Sequence, residues 1–141
     1  MNIFFDVDFT LITWNYRLRP HVREVFQRLV DDGHTLYLWS GLGERWEVVE
    51  QFGLHPWIVT CFSKPLYDHV ARLSELGVTV RPDFVVDDHA DLVRAFGGAV
   101  IEPAEIPLDE DQEMWRVYEL IRAFGYRASL DSRQESDSGS Y

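Results

Sequence analysis

Apolar and polar positions divide the chain into short apolar runs that alternate with longer amphipathic stretches. Residues 3–5 (Ile3, Phe4, Phe5) have no polar member, as a strand buried on both faces requires. Comparable runs at 35–39, 57–62, 84–86 and 99–101 predict four more strands. Val22, Val25, Phe26, Leu29 and Val30 recur at helical spacing, with Pro20 placed to open that helix and Gly33 to close it. Further helices are predicted over 44–52, over 66–76 with Val70, Leu73 and Leu76 on one side, and over 91–96. Met114, Val117, Leu120, Ile121 and Phe124 predict a last amphipathic helix ending at Gly125. Segment 12–18 has no clear period, and 103–109 reads as a polar connection. After Ser129 only Leu130 offers aliphatic bulk, so residues 128–141 are expected to be a disordered polar tail. Alternating strands and helices without internal repeats predict an α/β fold, a doubly wound parallel sheet of five main strands, in one domain over 1–127.

Composition narrows the function. The 141 residues are 46% hydrophobic and include nine Phe, five Trp and six Tyr, enough for one substantial core. A net charge of −11 argues against a broad nucleic-acid surface or attraction to an anionic membrane. A phosphate substrate stays compatible, because one cation and a few basic groups can reverse the sign inside a cleft. No apolar run approaches the roughly 20 residues of a membrane span. The first strand begins at once, so no signal peptide is expected. Cys61 is the only cysteine, which excludes an intrachain disulfide and suits a reducing, cytoplasmic setting.

Candidate chemistry gathers where strands end. The first strand runs into Asp6 and Asp8, followed by Thr10. Carboxylates at that position face the crevice where parallel α/β sheets bind ligands. Two acids so close repel each other, and a divalent cation with oxygen ligands is a common remedy; an Asp-rich turn is the plainer alternative. The second strand ends at Ser40-Gly41-Leu42-Gly43, a hydroxyl and free backbone N–H groups suited to phosphate oxygens. Arg45 follows, near enough to be a substrate contact but read as a solvated surface residue. Lys64-Pro65 comes after the third strand, and Asp87-Asp88 closes the fourth. The five histidines show no metal-ligand spacing; of them only His89, next to the acid pair, is a candidate substrate contact. Trp14 and Tyr16 fit either the site entrance or the core.

In order and position, these residues resemble the four motifs of the haloacid dehalogenase (HAD) superfamily of phosphohydrolases. Asp6, Asp8 and Thr10 match the first motif, Ser40 the second, Lys64-Pro65 the third and Asp87-Asp88 the fourth, so the resemblance covers about residues 1–103. It implies strand order 5-4-1-2-3, which sets the four acids side by side. It further implies a Mg2+-dependent phosphomonoester hydrolase working through an aspartyl-phosphate on Asp6, with Asp8 as general acid and then base. Asp8 places the match in the phosphatase branch. By the same resemblance Thr10, Ser40, Gly41 and Lys64 bind substrate. Mg2+ is held by Asp6, the backbone carbonyl of Asp8, and Asp88, with Asp87 orienting Lys64 or a metal-bound water; Asp87 and Asp88 could exchange roles. The intervals from Asp8 to Ser40 and from Ser40 to Lys64, about 30 and about 24 residues, are filled by core elements and leave no room for a cap domain. An open site suits a bulky phosphorylated substrate, small molecule or macromolecular end, unless a second subunit of a homo-oligomer covers it. Phe9 resembles the aromatic at this place in capless magnesium-dependent phosphatases, which include protein-tyrosine-phosphatase-like members. The alternative is an inactive phosphate- or metal-binding interaction module. A receiver-type signalling domain has its acids and lysine in another order, and no Gly-rich nucleotide fingerprint follows the first strand.

Overall fold

The computed structural model of the chain describes residues 1–106 and 109–138. Five strands, β1 (Asn2–Asp6), β2 (Thr35–Ser40), β3 (Ile58–Ser63), β4 (Phe84–Asp87) and β5 (Gly98–Val100), form one sheet in the order β3-β2-β1-β4-β5, every pair parallel. This is the order the resemblance implies. Four helices accompany it: α1 (Val22–Asp31), α2 (Trp46–Phe52), α3 (Ala90–Phe96) and α4 (Glu113–Ser138).

Side-chain alternation along the central strand explains its unbroken apolar run. Ile3 and Phe5 face one layer, where α1, α2 and α4 contribute Val25, Phe26, Val48, Val49, Val117 and Ile121. Phe4 faces the other, an aromatic layer with Tyr37, Trp39 and Phe62, closed by Leu73, Val78 and Leu92. Phe4 and Trp39 meet edge to face at 4.8 Å between ring centroids. Each such buried ring stabilises the fold by about 2–3 kcal/mol, so the centre of the sheet is its firmest part.

Register carries that firmness to the carboxyl edge. Phe5 is level with Leu38 on one side and Val86 on the other, so Asp6 and Asp87 leave the sheet together. Ser40 is level with Ser63, and the N–H of Lys64 donates to the Ser40 carbonyl at 2.9 Å. Strand ends that the sequence scatters over eighty positions thus share one rim.

Two elements differ from expectation. Residues 66–76 form irregular turns instead of a helix: the N–H groups of Arg72 and Leu76 bond four residues back, those of Leu73 and Gly77 three. Asp68 sits at φ 46°, which interrupts helical geometry, and of the three spaced apolar residues only Leu73 is buried. The last helix does not stop at Gly125. It continues through Ser138, taking up residues 128–138 of the stretch expected to be disordered, and its side chains are exposed from Tyr126 to Gln134. Gly125 has no positive φ to end the helix, and adding residues to a formed helix avoids the cost of nucleation. Residues 107–108 of the polar connection and 139–141 of the tail lie outside the described residues. Among the described residues no helix is long and apolar enough to cross a membrane.

Candidate active site

The rim of the sheet joins one buried cation to two buried acids. Lys64 Nζ donates to Asp6 Oδ1 at 2.9 Å and to Asp87 Oδ2 at 3.0 Å, and all three side chains are nearly inaccessible. Thr10 Oγ1 donates to the second oxygen of Asp6 at 3.1 Å. Burial pushes the Asp6 carboxyl up from 3.8 to about 7; the charge of Asp87 adds to this, Lys64 opposes it, and the Asp88 carboxyl raises it further. For Lys64, burial disfavours the charge, but Asp6 and Asp87 outweigh it and hold the ammonium above its usual value.

The loop that positions Asp8 and Thr10 is fixed from three sides. The N–H groups of Thr10, Leu11 and Ile12 all point back to the Val7 carbonyl, while Phe9 takes φ 63° between Asp8 and Thr10. Its carbonyl accepts from Ala104 N–H at 2.7 Å. Arg19, fully buried, grips the Asp111 carboxylate with two N–H groups at 3.0 and 2.9 Å and reaches the Thr10 carbonyl at 3.3 Å. A non-glycine residue at positive φ next to candidate catalytic groups costs of order 1 kcal/mol and persists here because its surroundings leave it no alternative.

Arg45 is the largest departure from the sequence reading. It is buried, not solvated. Its guanidinium pairs with Asp8 Oδ2 and with Glu47, donates to the Tyr16 hydroxyl at 3.0 Å, and approaches Ser40 Oγ at 3.5 Å. Burial opposes its charge, yet the hydrogen bonds to Asp8 and Glu47 prevail and raise it above the ordinary arginine value. Ser40 Oγ also accepts from Leu42 N–H at 3.1 Å. Ser40 Oγ thus accepts twice and donates to no group among the described residues, which leaves its proton available to a ligand.

That pocket, about 300 Å³, is lined by Asp6, Asp8, Phe9, Ser40, Gly41, Leu42, Lys64, Leu66 and His89. Asp6, Asp8, Ser40, Gly41 and Lys64, five of the expected site residues, therefore share one cavity. Thr10, expected to bind substrate, is fully buried and holds Asp6 instead. Asp87 is also fully buried, with Oδ2 on Lys64 and Oδ1 accepting from His89 N–H at 2.8 Å, so its part is to hold Lys64. Asp88 differs. Its Oδ1 is buried without a hydrogen bond, although His89 Nδ1 lies 3.1 Å away. Asp87, Asp88 and His89 each bring one ligand atom within 4.8 Å of the others, a grouping able to hold a cation, and Asp88 contributes the uncommitted oxygen.

Sequence reasoning gave Arg45 a substrate contact only as an alternative to a solvated position, and assigned Leu42 and Leu66 no part in the pocket. Nothing local marks Arg45, because its partners Asp8 and Tyr16 lie 37 and 29 positions away. Of the two aromatics left open, Tyr16 touches Arg45 and Trp14 is exposed. No protein-family model matches the chain, and comparison with curated proteins gives no match either.

Proposed function

We propose that the chain is a phosphomonoester hydrolase of HAD type, a capless, doubly wound Rossmann-like core that uses Mg2+. The observation that carries this reading is Lys64 bridging Asp6 and Asp87 at the floor of a pocket whose wall includes Ser40, a hydroxyl that donates to no group among the described residues. The strand order and the two covered sheet faces support the fold reading. The four carboxylates Asp6, Asp8, Asp87 and Asp88 face two permanent cations, Lys64 and Arg45, with the His89 ring beside Asp87 and Asp88, and among the described residues Asp88 Oδ1 has no hydrogen bond. This donor set fits a hard divalent cation, which Asp6, Asp88 and the Asp8 backbone carbonyl would hold. When bound, Mg2+ would supply positive charge against the crowded acids and the phosphoryl oxygens.

The residues divide the chemistry as follows. Lys64 and Ser40 bind phosphoryl oxygens, and backbone N–H groups near Gly41 assist. Asp6 attacks phosphorus; its oxygens accept from Lys64 and Thr10 and keep further lone pairs free for this. As the Asp6 oxygen–phosphorus bond forms, the bond to the leaving oxygen breaks, and Asp8 gives that oxygen a proton. Asp8 then takes a proton from water as the water attacks phosphorus, releasing inorganic phosphate and restoring the Asp6 carboxylate.

Hydrolysis of para-nitrophenyl phosphate with Mg2+, with EDTA, and by Asp6→Asn tests this. We expect metal-dependent turnover that falls at least about a thousandfold in the variant. Mg2+-dependent phosphate binding without turnover would assign the chain to a non-catalytic binding module, and absence of both would remove the site reading.

A further inference from the structure

Arg45 carries a charge that the scheme above does not use. Burying a guanidinium costs several kcal/mol unless it is fully paired. Glu47, in the first turn of α2, which Arg45 immediately precedes, would serve as one partner; the others come from three separate segments and converge on the pocket wall. Arg45 itself does not line the pocket, and its side chain is 5% exposed. Asp8, which does, keeps 35% of its side chain exposed while its Oδ2 is held by Arg45. Among the described residues Asp8 Oδ1 receives no hydrogen bond, so it is the oxygen left for the ligand.

We propose that Arg45 is a positioning residue for proton transfer: it fixes Asp8 by Oδ2 so that Oδ1 meets the leaving oxygen, and through the Tyr16 hydroxyl it couples that acid to segment 12–18. The inference rests on the phosphatase reading. Oδ2 accepts from the guanidinium whether or not Oδ1 carries a proton, so one arrangement serves both half-reactions. The fork also holds Ser40 Oγ, keeping acid and phosphate-binding hydroxyl at a fixed separation. Small errors in such a separation are expensive in rate.

Leaving groups separate this role from general support of the fold. 2,4-Dinitrophenolate departs without a proton, whereas phenolate needs one. kcat/KM reports the steps up to aspartyl-phosphate formation, so it is the quantity to compare. Arg45→Met is expected to lower kcat/KM for phenyl phosphate at least about tenfold more than for 2,4-dinitrophenyl phosphate, as Asp8→Asn should. Tyr16→Phe should show the same preference more weakly. In the double variant with Asp8→Asn, Arg45→Met should add little on phenyl phosphate. Equal losses on both substrates, or losses that multiply in the double variant, would overturn the proposal. Should Arg45→Met fail to fold by circular dichroism, Arg45→Lys and Tyr16→Phe carry the same comparison. A wild-type protein inactive on both substrates would overturn the phosphatase reading and this inference together. Wild-type activity with equal losses would overturn the inference alone.

Discussion

At Asp6, opposing influences of similar size meet. Burial and the neighbouring Asp87 favour the neutral carboxyl, while Lys64 favours the ion, and the group settles at about 7 against an ordinary 3.8. A raised carboxyl gives a definite sign to stability. Between pH 3.8 and about 7 the folded chain binds a proton at Asp6 that the unfolded chain has released, so rising pH destabilises the fold through this window. Below it the contribution is fully present, and above it the loss is complete, a few kcal/mol at most. Asp6→Asn removes the titration and leaves Lys64 its bond to Asp87. Melting temperatures in EDTA should therefore diverge as pH rises from 4 to 7, the variant becoming the more stable. Parallel curves would show that Asp6 is ionised throughout. The sequence displayed this acid through its spacing to Asp8 and Thr10. It could not display Arg45, whose burial depends on groups from three other segments.

Elements were legible where an apolar pattern determines them and obscure where close packing or local backbone does. All five strands lie within about two residues of their expected positions, because burial on both faces leaves an apolar run in β1, β2 and β4, and the partly exposed edge strands β3 and β5 still carry short apolar runs. The turns at 66–77 were mistaken for a helix because Val70, Leu73 and Leu76 mimic helical spacing, while the positive φ of Asp68 leaves no mark in composition. The end of α4 was misplaced because Gly125 fits a helix interior as well as a terminus. Gly98 shows how closely the edge of the sheet packs. It has φ 154°, and a Cβ there would stand 1.9 Å from the Val85 carbonyl oxygen, a backbone atom that cannot move aside. Gly98→Ala should thus separate β5 from β4, lowering stability by about 3–5 kcal/mol in urea unfolding and weakening the strand that presents Asp87. Gly33, with open space about its Cβ position, is the control: Gly33→Ala meets only its own backbone strain and should lose about 1 kcal/mol. Equal losses at the two sites would mean that β5 relaxes around the added methyl group.

On the proposed phosphatase reading, the whole molecule sets the kind of ester that the site would take. With net charge −11 the surface repels polyanions at long range, so phosphate recognition has to come from the cleft itself. Around the charged floor the rim is apolar: Phe9, Leu42 and Leu66 line the pocket, and Leu42 and Leu66 are 79% and 64% exposed. Leu66 leans over Gly41 so closely that a Cβ there would lie 2.9 Å from Leu66 Cδ2, which places this leucine directly beside the turn proposed to bind phosphate. A pocket of about 300 Å³ holds more than a phosphate, and its remaining wall offers contact area to an apolar body. Covering one leucine with such a body is worth about tenfold in affinity. Leu42→Ser and Leu66→Ser should each raise KM for 1-naphthyl phosphate by about that factor, while competitive inhibition by inorganic phosphate stays within about twofold. If phosphate inhibition weakens equally, the leucines are shaping the phosphate-binding turn rather than the surface that receives the leaving group. If neither measurement moves, the ester's organic body points into solvent, and the open rim discriminates by exclusion alone.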